Sequence, residues 1–145
     1  RGLMEHVTVT KTYRFSAGHR LAIKGLTDEE NFRIFDTCSN PRGHGHDYYL
    51  EVKATGEIDP VSGVAVPESA LDGAVLPVID DLDYKRLDVE IPYFSDNQPT
   101  GENIAEYIWK RLRVGLGKSL VHIRLSETAT SYFEFYEEET YPYER

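Results

Sequence analysis

Apolar and polar residues alternate along two stretches of the chain. Between Val7 and His19 one parity is mostly apolar and the other is mostly threonine, arginine and serine; the first comprises Val7, Val9, Tyr13, Phe15, Ala17 and His19. A period of two with one apolar face is typical of a half-buried strand. The same alternation runs from about His44 to Thr55, with His44 and His46 on the apolar face. The pattern predicts two strands that each carry histidine on the buried side.

The segments that follow these strands carry weaker signals. Leu21–Gly43 is polar and irregular and ends in turn residues, so we expect a loop. Ala65–Ile79 is at best weakly helical, because Gly73 and Pro77 interrupt it.

A stronger helix is predicted from Thr100, which is a suitable N-cap. Glu102 lies in the first turn, where the helix dipole favours a carboxylate. Gly115 or Gly117 ends the helix. Apolar residues recur between these ends at helical spacing, at Ile104, Ala105, Ile108, Trp109 and Leu112.

Two further strands are predicted at Leu120–Glu127 and at about Ser131–Tyr136. The order of elements favours an α+β fold in which one antiparallel sheet has helices on one face. We expect residues 1–145 to form a single domain, with loose ends at 1–6 and 137–145.

Charge and composition narrow the classes of function. The formal net charge is −9, from 25 acidic and 16 basic side chains, and no basic cluster offsets it, so nucleic-acid binding is disfavoured. No apolar run approaches the roughly 18 to 20 residues of a membrane span. A single cysteine fits a reducing compartment, which predicts a cytoplasmic protein.

The motif His44-Gly45-His46 predicts a metal site. Residues two apart on a strand point to the same side, about 6.5 to 7 Å apart, so both imidazoles can converge on one ion. His19 on a neighbouring strand would add a third nitrogen. Three nitrogen ligands leave one coordination position open, as in catalytic zinc sites. The alternative is that these are ordinary polar residues near a loop, since the motif is short.

Cys38 lies on the loop that enters the histidine-bearing strand. A nearby cation would favour its thiolate, which could then accept a proton from carbon. A small buried hydrophobe and a fourth zinc ligand are the other two interpretations, and spacing does not separate the three.

Glu127 shares parity with Ile123 and Leu125, so it points to the apolar side of its strand. Burying a lone carboxylate costs several kcal/mol unless a partner pairs with it, which predicts a ligand contact. The alternative is that the strand has ended and Glu127 is exposed. Glu102 is first a helix-start residue and second a ligand contact.

Several short blocks together resemble the 6-pyruvoyl-tetrahydropterin synthase family. They fall between about Tyr13 and Glu127, and their order and spacing are specific although each is weak alone. The blocks are Phe15-Ser-Ala-Gly-His-Arg-Leu21, Leu26-Thr-Asp-Glu-Glu-Asn31, Cys38-Ser-Asn-Pro-Arg-Gly-His-Gly-His-Asp-Tyr48, Gly56-Glu-Ile-Asp-Pro60, Pro92-Tyr-Phe94, Thr100-Gly-Glu-Asn103, Tyr107-Ile-Trp109 and Ser126-Glu-Thr128.

The resemblance implies a T-fold, with a four-stranded antiparallel sheet and two helices packed on one face. It implies a homohexamer built as a dimer of trimers, with sites between subunits. It also implies a zinc-dependent lyase that eliminates triphosphate from 7,8-dihydroneopterin triphosphate and gives 6-pyruvoyl-tetrahydropterin.

The resemblance also implies roles for individual residues. The positions that match the zinc ligands are His19, His44 and His46. Cys38 matches the general base, and Glu127 matches the carboxylate that accepts two N–H groups of the pterin ring. Thr100 and Glu102 are expected to add substrate contacts.

One position departs from the family pattern. Asp83 matches the aspartate of a catalytic Asp-His pair, but Tyr84 stands where the histidine is expected. A phenol ordinarily has a pKa of about 10, against about 6.5 for imidazole, so it is a poor proton carrier at neutral pH. The alternatives are therefore a homologue with altered chemistry, such as side-chain cleavage or 6-carboxy-tetrahydropterin formation, or a non-catalytic pterin-binding protein.

Overall fold

The computed structural model describes residues 5–138. These residues form one sheet with strand order β3-β1-β2-β4-β5. The strands are β1 (Val7–His19), β2 (His44–Gly56), β3 (Lys85–Arg86), β4 (Leu120–Ser126) and β5 (Tyr132–Phe135). The helices are α1 (Asp28–Phe35), α2 (Glu68–Leu82), α3 (Leu87–Glu90), α4 (Tyr93–Asp96) and α5 (Gly101–Leu116). Two short 3-10 turns occur at Asp36–Ser39 and Gly117–Ser119.

β1 and β2 form the centre of the sheet. They pair antiparallel over their whole length, and the pairing ends with His19 opposite His44. The inward rings of Phe15 and Tyr48 stack with centroids 4.9 Å apart and are almost completely buried. Both strands predicted from the alternation are confirmed.

The sheet has one more strand than the four-stranded antiparallel prediction. β3 pairs parallel to β1, at Ala17 and Gly18. Main-chain and side-chain hydrogen bonds hold this segment at the edge, because Ser16 donates its N–H to the Asp83 carboxylate and accepts the N–H of Tyr84. These contacts join distant parts of the chain, so the local pattern did not reveal them.

Helix α2 is well formed, and the prediction of weak helicity over Ala65–Ile79 is wrong. It runs for 15 residues with Pro77 inside it. Its apolar face is fully packed, and tertiary burial outweighs the local cost of Gly73 and Pro77. The buried residues of this face are Leu71, Val75, Val78, Ile79 and Leu82.

The segment Leu21–Gly43, predicted to be irregular, contains the regular helix α1. Thr27 is its N-cap, and its hydroxyl accepts the N–H of Glu30 while the Glu30 carboxylate accepts the N–H of Thr27. This reciprocal pair is a capping box. The spacing Thr-x-x-Glu is visible in the sequence, so the start of this helix could have been predicted from it.

Helix α5 has the N-cap predicted for it. The Thr100 hydroxyl accepts the N–H of Asn103, and Gly117 at the other end has a φ of 56°, which favours glycine. α5 packs against α2, β4 and β5, and α2 also packs on β1. The two long helices therefore enclose the core against one face of the sheet, as predicted.

His122 is buried although it occupies a position of the same parity as the polar residue Arg124 on β4. Its side chain is only 1% exposed. Its Nε2 lies 3.0 Å from the Glu134 carboxylate, and the Tyr136 ring stacks on it. Residues on and after β5 therefore cover this side of β4.

The predicted loose ends lie mostly outside the described residues. Glu137 is one of the described residues of the C-terminal end, and its carboxylate accepts a hydrogen bond from Arg113 of α5. No helix within residues 5–138 has the length and apolar character needed to span a membrane.

The packing of α2 predicts a strong contrast between two leucines of the same helix. Leu71 is completely buried and Leu76 is 45% exposed. We expect Leu71→Ala to lower the free energy of unfolding by about 2 to 5 kcal/mol, through lost burial and the cavity left behind. Leu76→Ala is the matched control and should cost less than about 1 kcal/mol. Urea denaturation measures both, and equal losses would contradict the packing described for α2.

Candidate metal centre

Three donor side chains converge where β1 ends and β2 begins. Ligand atoms of His19, Cys38 and His46 all lie within 4.8 Å of one another. β1 carries His19, β2 carries His46, and the 3-10 turn before β2 carries Cys38. The Cys38 carbonyl accepts the N–H of Leu21 at 2.7 Å, which fastens the turn beside the end of β1.

His19 presents a free lone pair to this cluster. It is completely buried, and its Nδ1 lies 2.7 Å from the Pro99 carbonyl oxygen. A carbonyl only accepts, so Nδ1 carries the hydrogen and Nε2 is unprotonated in the neutral ring. Nε2 is buried and has no hydrogen-bond partner among residues 5–138. Burial lowers the pKa of His19, which keeps the ring neutral.

His46 stands in the middle of the cluster. Its Nε2 lies 3.8 Å from the Cys38 sulfur and 3.8 Å from a Glu127 carboxylate oxygen. Burial, with His19 and His44 nearby, lowers the pKa of His46 to about 4. A neutral imidazole is the form that binds a metal, so His19 and His46 are both in the form that can bind one at neutral pH.

These donors fit a divalent transition-metal ion. Burying a nitrogen without a hydrogen-bond partner, as at His19 Nε2, ordinarily costs free energy. A bound cation would accept the lone pair of this neutral imidazole and remove that cost. Two imidazoles and a thiol within 4.8 Å of one another form a donor set that suits zinc among other ions. The structure therefore contains a possible metal site.

His44 lies beside His46 but is not one of the three clustered donors. Its ring meets the His46 ring edge-on, with centroids 4.6 Å apart. It is partly exposed and lines a cavity of about 520 Å³ with Phe32, Thr37 and Asn40. Its predicted role as a third nitrogen ligand stays a prediction.

Cys38 is a thiol rather than a thiolate in this environment. It is partly buried, and burial raises its pKa, with a further contribution from the negative charge of Glu127. Removing its proton therefore requires a positive charge close to the sulfur.

Glu127 turns inward immediately after β4 ends. Its side chain is 16% exposed, and Tyr48 directs its hydroxyl at the other carboxylate oxygen, 3.5 Å away. Of the two interpretations left open by the sequence, the inward one agrees with the structure. The carboxylate lies at the border of the cluster, where it can accept hydrogen bonds from a bound molecule.

Comparison with known proteins identifies the family. The family model described as 6-pyruvoyl tetrahydropterin synthase matches residues 8–138. The chain belongs to the 6-pyruvoyl tetrahydropterin synthase family.

Individual members are similar over most of their length. The 6-pyruvoyl tetrahydrobiopterin synthase of Pongo abelii is 43% identical over 122 residues, which cover 83% of this chain and 84% of the relative. The human protein of the same name is 42% identical over the same shares of the two chains. The solved Caenorhabditis elegans 6-pyruvoyl tetrahydropterin synthase superposes with a TM-score of 0.85 at 34% identity, covering 93% of this chain and 98% of that one.

Asp83 and Tyr84 stand where the family resemblance predicts a catalytic Asp-His pair, and they lie at the β3 edge of the sheet. Asp83 receives the N–H of Ser16, and Tyr84 has a φ of 59° and is 83% exposed. Within residues 5–138, no hydrogen bond or ion pair joins either of them to Cys38 or to the clustered histidines. Tyr84 borders a cavity of about 430 Å³ that His46 and Gly45 also line.

The two substrate contacts expected at the start of α5, Thr100 and Glu102, make other contacts in the structure. Thr100 uses its hydroxyl as the helix N-cap. Glu102 is exposed and lines a cavity of about 470 Å³ with Tyr132 and Phe133 of β5. Their predicted roles in substrate binding stay predictions.

Sequence reasoning missed two members of the site. Tyr48 follows His46 by two positions on the same face, so alternation could have placed it beside the cluster. Pro99 acts through its main-chain carbonyl, which has no signature in the residue type.

The lowered pKa of His46 predicts acid sensitivity of the metal-free protein. Between pH 6.5 and 4 the unfolded chain binds a proton at this residue that the folded chain does not, so stability falls as pH falls. The shift corresponds to a loss on the order of 3 kcal/mol by pH 4.

Urea denaturation in the presence of a chelator measures this loss. His46→Gln should show a shallower fall in unfolding free energy over the same pH range than the natural chain. Equal slopes in the two proteins would contradict the assignment of a strongly lowered pKa to His46.

Proposed function

We propose that this chain is a 6-pyruvoyl-tetrahydropterin synthase. It acts as a lyase on 7,8-dihydroneopterin triphosphate, from which it eliminates triphosphate. The observation that carries the proposal is the grouping of His19, Cys38 and His46 beside the inward carboxylate of Glu127. Membership of the family supports the same reaction, as do relatives named 6-pyruvoyl tetrahydrobiopterin synthase at 42% and 43% identity.

The proposed metal is zinc, held by His19, His44 and His46. Nitrogen donors in their neutral form support this choice, since burial lowers the pKa of both His19 and His46. The bound ion supplies a fixed positive charge that stabilises negative charge on the substrate oxygens and on the Cys38 sulfur.

Glu127 is proposed to anchor the pterin ring. A carboxylate accepts two parallel N–H groups in a bidentate arrangement, and the 2-amino group and adjacent ring N–H of a pterin supply them. Tyr48 orients this carboxylate from the core side, because its hydroxyl points at one of the two oxygens. The substrate side chain then extends towards His46 and Cys38, which both lie beside the same carboxylate.

Cys38 is proposed as the general base. Its sulfur lies 3.8 Å from His46 Nε2, on the border of the cluster, and its partial exposure leaves a path for substrate. In this role it accepts a proton from a carbon of the substrate side chain.

A second copy of the chain is proposed to complete the site. Asp83 and Tyr84 lie at the β3 edge; Ser16 holds the Asp83 carboxylate, and Tyr84 is 83% exposed, so its phenol is available to a neighbouring subunit. This arrangement fits the proposed homohexamer, built as a dimer of trimers. The cytoplasmic location expected from the single cysteine stays a prediction.

Tyr84 favours a second candidate function. A phenol replaces the expected imidazole, so a homologue with altered pterin chemistry is the alternative, with side-chain cleavage or 6-carboxy-tetrahydropterin as the outcome. A non-catalytic pterin-binding protein would bind the substrate without releasing phosphate.

Turnover of 7,8-dihydroneopterin triphosphate tests the proposal. We expect the zinc-loaded protein to release triphosphate and form 6-pyruvoyl-tetrahydropterin, measured by phosphate analysis and mass spectrometry. Cys38→Ala should lower kcat by about 10²- to 10⁴-fold, as expected for loss of a general base, while pterin binding persists.

Two comparisons separate the candidate functions. Tyr84→His should raise kcat by about 10-fold or more if the elimination uses a proton carrier at this position. A different product in the natural chain would support altered chemistry. Binding without turnover, and a Cys38→Ala variant equal to the natural chain, would support the non-catalytic function and overturn the proposal.

A further inference from the structure

The orientation of His19 depends on a single main-chain acceptor. The Pro99 carbonyl oxygen lies 2.7 Å from Nδ1, and this contact directs the Nε2 lone pair into the cluster with His46 and Cys38. If the carbonyl moved, the His19 ring would lose the hydrogen bond that favours the tautomer with its hydrogen on Nδ1. The position of Pro99 therefore bears directly on the availability of the donor atom.

Pro99 lies between α4 and α5, and hydrogen bonds hold the residues on both sides of it. On one side, the Gln98 carbonyl accepts the side-chain amide of Asn103 at 2.9 Å and the N–H of Thr100 at 2.8 Å. The Gln98 side-chain amide donates to the Ala22 carbonyl at 2.5 Å. On the other side, the Thr100 hydroxyl accepts the N–H of Asn103 at 3.2 Å.

Asn103 makes two of these four contacts, one on each side of Pro99. Its side chain fixes the residue before Pro99, and its main chain fixes the residue after it. It lies in the first turn of α5, so the rigid helix transmits its position to the loop. The ring of Pro99 restricts φ to about −65°, which removes one of the two main-chain rotations that could move the carbonyl.

We propose that Asn103 is a positioning residue for the metal ligand His19, acting through Gln98 and the Pro99 carbonyl. The residue contacts neither metal nor substrate in this role. The inference rests on the metal site of the proposed function, and it concerns the tautomer and orientation of one ligand rather than the reaction. Groups hydrogen-bonded directly to a metal-ligating histidine, as the Pro99 carbonyl is to His19, typically contribute 10- to 100-fold to metal affinity.

Asn103→Asp is the sharpest variant. It keeps the shape of the side chain, and its main-chain N–H still reaches Thr100, but it replaces the amide donor with an acceptor that faces the Gln98 carbonyl. Asn103→Ala removes the donor without adding charge. Lys110→Ala is the matched control, because Lys110 is an exposed residue of the same helix.

The first measurement is zinc affinity by competition with a chelator. We expect both Asn103 variants to bind zinc about 10- to 100-fold more weakly than the natural chain and Lys110→Ala to be unchanged. Affinities equal to that of the control would overturn the proposal.

The second measurement is the tautomer of His19 in metal-free protein, read from nitrogen-15 chemical shifts of labelled histidine. The natural chain should show Nδ1 protonated and Nε2 unprotonated, and the Asn103 variants should show a mixture. An unchanged tautomer in folded variants would overturn the proposal. This readout needs neither metal nor turnover, so it decides the role of Asn103 even if the proposed lyase activity fails.

Discussion

The site depends on the register between β1 and β2. Antiparallel pairing places His19 opposite His44 and Ala17 opposite His46, so the inward positions of both strands meet at one end of the sheet. A slip of one residue would turn every side chain of a strand to the other face. The buried rings of Phe15 and Tyr48 oppose such a slip, because each would lose its place in the core. Core packing and ligand geometry are thus consequences of the same register.

Burial gives the cluster its chemical character. Removing His19 and His46 from water disfavours their protonated forms, so both present neutral nitrogen at neutral pH. The same burial raises the pKa of Cys38, so the sulfur keeps its proton until a positive charge is present. Without a cation, a buried nitrogen of His19 has no hydrogen-bond partner among residues 5–138. The protein therefore holds these groups in a state that a cation stabilises.

The sequence predicted those parts of the fold that depend on local alternation. β1, β2 and the start of α5 followed from periodicity and capping, and the inward side of His19 and His46 followed with them. The stability of helix α2 was underestimated because helix propensity includes the destabilising effect of Pro77 but not the burial of the apolar face of the helix.

Contacts between distant segments were beyond reach of the sequence pattern. The position of Asp83 depends on the Ser16 main chain, 67 residues away, and the support of His19 comes from a carbonyl 80 residues along the chain. The structure groups Cys38 with His19 and His46, whereas the motif His44-Gly45-His46 predicted His44 as the third donor. The 3-10 turn at Asp36–Ser39 places the Cys38 sulfur 3.8 Å from His46 Nε2, whereas His44 stays partly exposed. The conformation of this turn cannot be deduced from the spacing of the residues.

Zinc K-edge X-ray absorption of the metal-loaded protein tests the central claim most directly. We expect one zinc ion per chain, with imidazole nitrogens at about 2.0 to 2.1 Å and no sulfur bound to the ion. A sulfur scatterer at about 2.3 Å would make Cys38 a ligand rather than a base. That result, or a protein that retains no zinc, would contradict the account.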